Sequence, residues 1–205
     1  MFRNRYFLSL AFVGWLSAAV AGMAVMWTYQ ARPGLGADAP ARWPGESTLP
    51  FDRAKQTLLV WIHPRCPCTH ATVRELDRLL THLPGDVNCR VVISQPPGCD
   101  ESFLQTSLTS TVGRLSRAEV IVDRDQIEAK RFGVSTSGQV LLYDRDARLT
   151  FAGGITASRG HEGDNRGTAA IREIFRAAQS PACCQGNAVY GCDLFGAADD
   201  PDPST

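Results

Sequence analysis

The pattern of apolar and polar residues divides the chain into four regions. The first is residues 1–30, where an uncharged stretch runs from Tyr6 to Gln30. Its apolar part is as long as the ~20 residues that a helix needs to span a bilayer. Residues 31–49 carry proline, glycine and alanine without any period, which predicts a flexible linker. Regular patterns fill residues 50–180, which we assign to one domain, and residues 181–205 form a cysteine-containing C-terminal extension.

The N-terminal apolar region is interpreted as a retained transmembrane anchor. Arg3 and Arg5 precede the apolar run, and Trp27 and Tyr29 lie where an aromatic belt at the membrane surface is expected. The alternative is a cleaved signal peptide, because Ala19-Val20-Ala21 matches a cleavage site. Either interpretation predicts that the domain lies on the outer, extracytoplasmic side of the cytoplasmic membrane, where disulfides persist.

Strand and helix patterns alternate within residues 50–180. Short β-branched and aromatic runs predict strands, and apolar residues at three- and four-residue spacing predict helices. The predicted strands are Leu58–Ile62, a run within 86–94, Ala118–Val122, and a hairpin of Val140–Tyr143 with Leu149–Ala152. The predicted helices are Pro67–Leu83, Glu101–Leu115, Asp123–Phe132, and a last one from Asn165 or Thr168 to Ala178. This order predicts an α/β fold, with a central mixed sheet and helices on both faces.

Two cysteines separated by one proline join the first strand to the first helix. Pro67 suits the first helical position, which predicts Cys66 as the N-cap and places Cys68 in the first turn. Free N–H groups and the positive end of the helix dipole stabilise a thiolate there. Such thiols titrate at roughly 3.5–7.5 instead of about 8.5. The sequence therefore predicts Cys66 as the attacking thiol and Cys68 as its resolving partner.

Basic side chains flank the cysteine pair and allow two further interpretations. Arg65, and His63 or His70 when protonated, would favour a thiolate at Cys66. The set Cys66, Cys68, His63 and His70 also suits Cu(I), and Zn(II) less well, which would indicate a copper-binding or copper-delivery protein. The third interpretation is a binding module in which a Cys66–Cys68 disulfide is inert.

The order of strand, cysteine pair and helix resembles the thioredoxin superfamily. Over residues 56–195, the segments HPRCPCTHA, VSTSGQVLLYDRDARLTFAGGITASRGHEGDN and YGCDLF resemble bacterial membrane-anchored RedB-type thioredoxin-like redox proteins. The resemblance implies thiol redox work by a thioredoxin-like domain that follows one transmembrane helix, and it indicates no particular substrate. We expect protein thiols and disulfides as partners and no cofactor. Gly138 lies where thioredoxins have a cis-proline before the third core strand. The C-x-C spacing closes a smaller ring than C-x-x-C, which predicts a more oxidising pair.

A polar, glycine-rich loop over residues 153–165 precedes the last helix. Its His161, Glu162 and Asp164 could bind a metal ion, or His161 could transfer protons. The favoured interpretation is a structured loop in which Asp164 or Asn165 caps the helix.

The composition indicates which partners and which cellular compartment to expect. The net charge is zero, so nothing indicates a nucleic-acid partner. Seven cysteines would be unusual in a protein that meets only cytosolic thiols, and the odd number leaves at least one unpaired. Cys89, inside a predicted strand, is typical of a small buried apolar residue, although it could pair with Cys99.

The C-terminal extension contains three of these cysteines. Cys183 and Cys184 are adjacent and cannot easily bond to each other, so one of them is predicted to bridge to Cys192. The alternative is that Cys192 folds back and resolves a disulfide on Cys66 or Cys68.

Overall fold

The N-terminal apolar stretch forms one long helix, α1 (Phe2–Ala31). Its part from Tyr6 to Ala31 has a mean hydropathy of 1.9 and is long enough to cross a membrane, as a membrane span or a signal sequence would be. We describe a computed structural model, which defines residues 2–177, 184–185 and 187–196. Residues 1–32 and residues 33–205 form two separate units.

The second unit is built on a mixed sheet. Its strands are β1 (Gln56–Ile62), β2 (Val87–Gln95), β3 (Ala118–Arg124), β4 (Val140–Tyr143), β5 (Leu149–Gly153) and β6 (Cys184–Gln185). The strand order is β3-β2-β1-β4-β5-β6. Strands β1, β2 and β3 are parallel, β4 is antiparallel to β1 and β5, and β6 is parallel to β5. β1 therefore lies in the middle of the sheet, and its carboxyl end leads directly into the cysteine pair.

Helices cover both faces of this sheet. They are α2 (Thr69–His82), a short 3₁₀ helix (Glu101–Leu104), α3 (Ser107–Val112), α4 (Ile127–Arg131) and α5 (Arg166–Arg176). Because side chains alternate along a strand, Leu58 and Val60 of β1 pack with α2, α3 and α5, whereas Leu59 and Trp61 pack on the α4 face. All four of these side chains are fully buried. The predicted mixed sheet with helices on both faces, preceded in the sequence by a long apolar helix, is confirmed.

The prediction of one continuous helix over Glu101–Leu115 is wrong. The chain forms a 3₁₀ turn and then α3, because polar side chains start each piece separately. Asp100 accepts a hydrogen bond from the N–H of Ser102, and Thr106 accepts one from the N–H of Thr109. Short polar side chains favour caps over helix interiors, so a sequence rich in serine and threonine breaks here.

The prediction that residues 31–49 form a flexible linker is wrong from Pro33 onward, because this segment packs on the domain. Trp43 contacts the rings of Phe51, Phe132 and Tyr143, with centroids 4.8, 5.0 and 5.2 Å away. These contacts cover the sheet face that α4, only five residues long, leaves open.

Backbone hydrogen bonds fix the same segment along its length. The N–H groups of Gly34, Asp38 and Trp43 donate to the carbonyls of Val189, Gly133 and Ala147, at 2.8, 3.1 and 2.9 Å. The sequence of this segment shows no period because the segment crosses the sheet as irregular chain. Single residues make its contacts, and no regular face of apolar residues recurs.

Candidate active site

The cysteine pair lies in a tight turn between β1 and α2. The N–H of Cys66 donates to the carbonyl of His63 at 3.1 Å, and the N–H of Thr69 donates to the carbonyl of Cys66 at 3.2 Å. The N-cap of α2 is therefore Cys68, and the helix begins at Thr69. The prediction of Cys66 as N-cap and Pro67 as first helical residue is wrong, because an i to i+3 turn precedes the helix.

A second chain segment, immediately before β4, holds this turn in place. The side-chain oxygen of Ser137 accepts a hydrogen bond from the N–H of His63 at 2.8 Å and lies 2.7 Å from the hydroxyl of Thr69. Gly138 follows with a φ of +89°, a value that favours glycine. A Cβ at Gly138 would lie 3.0 Å from the hydroxyl oxygen of Thr72 on α2. Gly138 therefore lets the chain pass close to the active-site helix.

The C-terminal extension forms the third wall of the site. Thr136 and Asp193 form an antiparallel bridge. The N–H of Ser137 donates to the carbonyl of Cys192 at 2.8 Å, and the N–H of Leu194 donates to the carbonyl of Ser135 at 2.8 Å. This pairing brings Cys192 directly to the cysteine pair, although 126 residues separate it from Cys66.

The sulfur of Cys66 is the centre of a cluster of three thiols. The backbone N–H of Cys192 donates to this sulfur at 3.3 Å. Hydrogen bonds from the thiol of Cys192 and then from the thiol of Cys68 hold the pKa of Cys66 well below its usual range. Burial opposes this shift, and the hydroxyl of Thr69 adds to it. Four donors on one sulfur therefore stabilise a thiolate at Cys66.

The two neighbouring thiols shift in the opposite direction. Their hydrogen bonds to Cys66 raise the pKa of Cys68 and of Cys192, and burial raises both further. Arg159 partly offsets the shift at Cys68 by a hydrogen bond to its sulfur, and its charge does so at Cys192. In the reduced protein, Cys66 is therefore the thiolate and Cys68 and Cys192 keep their protons.

These opposite shifts predict an unusual pH dependence of stability for the reduced chain. Below about 8.5, the ordinary thiol pKa, the unfolded chain binds a proton at Cys66 that the folded chain has lost. The free energy of unfolding therefore rises with pH up to that point. Above it the unfolded chain loses the protons that Cys68 and Cys192 keep in the folded chain, so stability falls again.

Urea unfolding of the reduced full-length chain at a series of pH values, beside Cys66→Ser, measures this dependence. We expect the difference between the two proteins to grow toward about 8.5, because the serine variant has no ionised group at this position. Parallel curves for the two proteins would contradict the assignment of the thiolate to Cys66.

The basic residues that flank the pair lie in three different environments, and the prediction that Arg65 or His70 favours the thiolate stays a prediction. Burial lowers the pKa of His63, which favours its neutral form, and its ring lies edge-on to Phe103 with centroids 5.4 Å apart. The guanidinium of Arg65 lies 4.7 Å over the same Phe103 ring. His70 lies half-buried in the first turn of α2. Within the described ranges, no group of three or more His, Cys, Asp or Glu is arranged to hold a metal ion, and the copper hypothesis stays a prediction.

The glycine-rich loop is held against α2 by charge. Glu162 accepts hydrogen bonds from Arg74 and Arg78, at 2.6 Å each. The N–H of Gly163 donates to buried Glu75 at 2.7 Å. Since its carboxylate already pairs with two arginines, Glu162 has a structural role in this structure.

The end of the same loop forms the predicted helix cap. Asn165 accepts a hydrogen bond from the N–H of Thr168 at 2.9 Å, which confirms Asn165 as the cap of α5. His161 lies exposed, and its Nδ1 is 3.0 Å from the carbonyl of Arg159. Arg159 itself donates to the carbonyl of Gly191 at 2.8 Å, so the loop contributes to the site through an arginine that the sequence did not single out.

The remaining cysteines lie apart from this cluster or outside the described residues. Cys89 is buried in β2, and burial raises its pKa to about 12. Cys99 packs at the edge of the same core, and both are free thiols. The predicted bridge from Cys183 or Cys184 to Cys192 involves side chains outside the described residues, while Cys192 itself is a free thiol.

Sequence reasoning missed Thr69, Ser137 and Arg159. Thr69 is next to Cys68 and Ser137 is next to Gly138 in the sequence. Because Cys68 and Gly138 were already predicted site residues, these polar neighbours could have been included. Arg159 is 91 residues from Cys68 along the chain, and no local pattern marks it.

Comparisons with known proteins identify the fold. No family model and no curated protein matches the sequence. An uncharacterized conserved protein from Geobacillus kaustophilus has a similar structure, with 20% identity over 80% of this chain and 92% of that chain and a TM-score of 0.55. A hypothetical protein from Sinorhizobium meliloti 1021 has 18% identity over 82% of this chain and 98% of that one, with a TM-score of 0.56.

A more distant neighbour is a secreted Mycobacterium tuberculosis disulfide oxidoreductase homologous to E. coli DsbE. It has 15% identity over 60% of this chain and 81% of that chain, with a TM-score of 0.42. The structural neighbours include thioredoxin-like proteins. The first two similarities show that the described residues share the fold of those two proteins.

Proposed function

We propose that this chain is a membrane-tethered, extracytoplasmic thiol–disulfide oxidoreductase whose redox-active pair is Cys66 and Cys68. The observation that carries the proposal is the environment of the Cys66 sulfur, which receives hydrogen bonds from two thiols and from one backbone N–H. A thiolate is the nucleophile in disulfide exchange, and a second thiol beside it is what completes the reaction.

The reaction proceeds in two exchanges. The Cys66 thiolate attacks a partner protein's disulfide, which forms a mixed disulfide and releases one partner thiolate. Cys68 then loses its proton and attacks the Cys66 sulfur, which forms the Cys66–Cys68 disulfide and releases the second partner thiolate. Two electrons pass from the pair to the partner, and the reverse sequence oxidises a partner dithiol.

The change in charge at Cys66 controls the second exchange. The hydrogen bond to the Cys66 thiolate is the main cause that raises the pKa of Cys68. Once Cys66 is in a mixed disulfide its charge is gone, so this cause disappears, while burial still raises the pKa of Cys68 and Arg159 still lowers it. The pKa of the resolving thiol therefore falls only after the attack has taken place.

The N-terminal helix supports placement at a membrane. Its apolar stretch from Tyr6 to Ala31 suits a single-pass anchor in the bacterial inner membrane, with the domain in the periplasm. The RedB-like segments HPRCPCTHA and YGCDLF support the same assignment, and in the structure they are the two segments that meet at Cys66. Protein thiols and disulfides outside the cytoplasm are the expected partners.

A glutathione redox titration of the full-length chain in detergent tests this function. The variant Cys192→Ser isolates the Cys66–Cys68 pair, and trapped thiols are mapped by mass spectrometry. We expect exchange between about −120 and −270 mV, the range of working oxidoreductases. A pair that stays oxidised below about −300 mV would behave as a structural disulfide and would overturn the proposal.

A further inference from the structure

The residues that surround Cys192 are fixed to the domain on several sides. We name residues 189–195 the C-terminal strap. Val189 and Leu194 of the strap are buried, and Leu194 has no exposed surface. The carbonyl of Leu194 accepts a hydrogen bond from buried Gln126, and Lys130 lies over the ring of Phe195 at 5.9 Å. The strap is therefore anchored on both sides of Cys192.

The strap packs tightly against Ser137 at Gly191, the residue before Cys192. A Cβ on Gly191 would lie 1.8 Å from the carbonyl oxygen of Ser137, a distance that no side chain tolerates. Arg159 donates to the carbonyl of Gly191 at 2.8 Å. Glycine at this position lets the strap approach Ser137 closely enough for the N–H of Cys192 to reach the Cys66 sulfur at 3.3 Å.

The strap also covers the sulfur of Cys66. Only 1% of the surface of Cys66 is exposed, whereas Cys68 and Cys192 are partly exposed. A protein partner has to place an extended peptide with a sulfur against Cys66, and the strap has this geometry. It is an extended segment, paired antiparallel to residues 135–137, with a cysteine at the attacking sulfur.

The geometry points to Cys192 as a third redox cysteine, and to the strap as an internal substrate that occupies the partner site. This inference rests on the proposed function, since it needs Cys66 to be redox-active. Cys66 then has two alternative disulfide partners, Cys68 beside it and Cys192 on the strap.

The exchange between the two disulfides needs no outside oxidant. The thiol of Cys192 gives up its proton and attacks the sulfur of Cys66 in the Cys66–Cys68 disulfide. The Cys66–Cys192 bond forms, the Cys66–Cys68 bond breaks, and Cys68 leaves as a thiolate that takes up the proton. The oxidation state of the protein is unchanged, and the free thiol has moved from the strap to Cys68.

Trapping the second disulfide tests the inference. All variants are full-length chains in detergent and carry Cys183→Ser and Cys184→Ser, so that Cys192 cannot pair with either. Cys68→Ser removes the neighbouring partner. The reduced chain is treated with oxidised glutathione: Cys66 forms a mixed disulfide with one glutathione and releases the other. Cys192 then attacks the Cys66 sulfur, forms the Cys66–Cys192 bond and releases the second glutathione. Alkylation and peptide mass spectrometry quantify each product.

We expect the Cys66–Cys192 disulfide to be the main product in Cys68→Ser. Adding Cys192→Ser should raise the Cys66–glutathione adduct about tenfold, because a thiol held in place outcompetes one in solution. An equal amount of the adduct with and without Cys192 would overturn the inference and leave the proposed function intact. No adduct on Cys66 in any variant would overturn both.

A pair of glycine variants separates the position of the strap from the presence of the thiol. Gly191→Ala should slow formation of the Cys66–Cys192 disulfide about tenfold or more, because its Cβ displaces the strap from Ser137. Gly196→Ala is the matched control, since a Cβ there lies 3.7 Å from its nearest neighbour, Asp193. Equal rates in the two variants would overturn the role of the strap as a docked internal substrate.

Discussion

Replacing Cys66 by serine should lower the rate of disulfide exchange by about 10³-fold, because the variant has no thiolate to attack with. A serine hydroxyl does not ionise near neutral pH and cannot form a disulfide. The donors around position 66 would remain, but they would surround a neutral oxygen. The measurement is the exchange rate of the reduced full-length chain with a labelled peptide disulfide.

Two further variants make this result specific. Cys99→Ser removes a thiol at the edge of the core, outside the cluster of three, and should leave the rate unchanged. Cys68→Ser, in a chain that also carries Cys192→Ser, should still attack but accumulate the mixed disulfide, since no resolving thiol is left. A rate in Cys66→Ser equal to that of the unaltered chain would contradict the assignment of the nucleophile.

Replacing Trp43 by alanine should lower the free energy of unfolding by about 3 kcal/mol. The tryptophan contacts three aromatic rings, of which Phe132 and Tyr143 are fully buried. Its loss would leave the rings of the α4 face without their cover. Urea unfolding of the reduced full-length chain, followed by near-ultraviolet circular dichroism, measures the change.

Leu35→Ala is the matched control within the same segment. Leu35 is a large apolar residue with 66% of its surface exposed, so its truncation should cost less than about 0.5 kcal/mol. Similar small effects of both substitutions would contradict the packing of residues 33–49 on the domain.

The regular part of the fold could be predicted from the sequence because its strands are short, apolar and β-branched. β1, β4 and β5 agree with prediction to within two residues. β1 and β4 are buried on both faces, which favours an unbroken apolar run. Residues 33–49 could not be predicted to pack, because irregular segments bury single residues such as Trp43 and show no period.

Only the site residues that lie close together in the sequence could be predicted. Cys66 and Cys68 stand out because they are adjacent in sequence and follow a strand. The contact of Cys192 with Cys66 was one of two alternatives, because sequence alone does not show which cysteines meet in space. The sequence indicated the end of a helix as the source of the thiolate's stabilisation, and the structure adds hydrogen bonds from thiols and from one N–H of a distant segment.

The separation of the three cysteines along the chain has a consequence for biogenesis. Synthesis proceeds from the N-terminus, so Cys66 and Cys68 emerge together and Cys192 follows 124 residues later. During that interval Cys66 has no cover, and the nearest thiol available to it is Cys68. A nascent chain in an oxidising compartment should therefore close the local disulfide first, and the strap should dock on a site that is already oxidised.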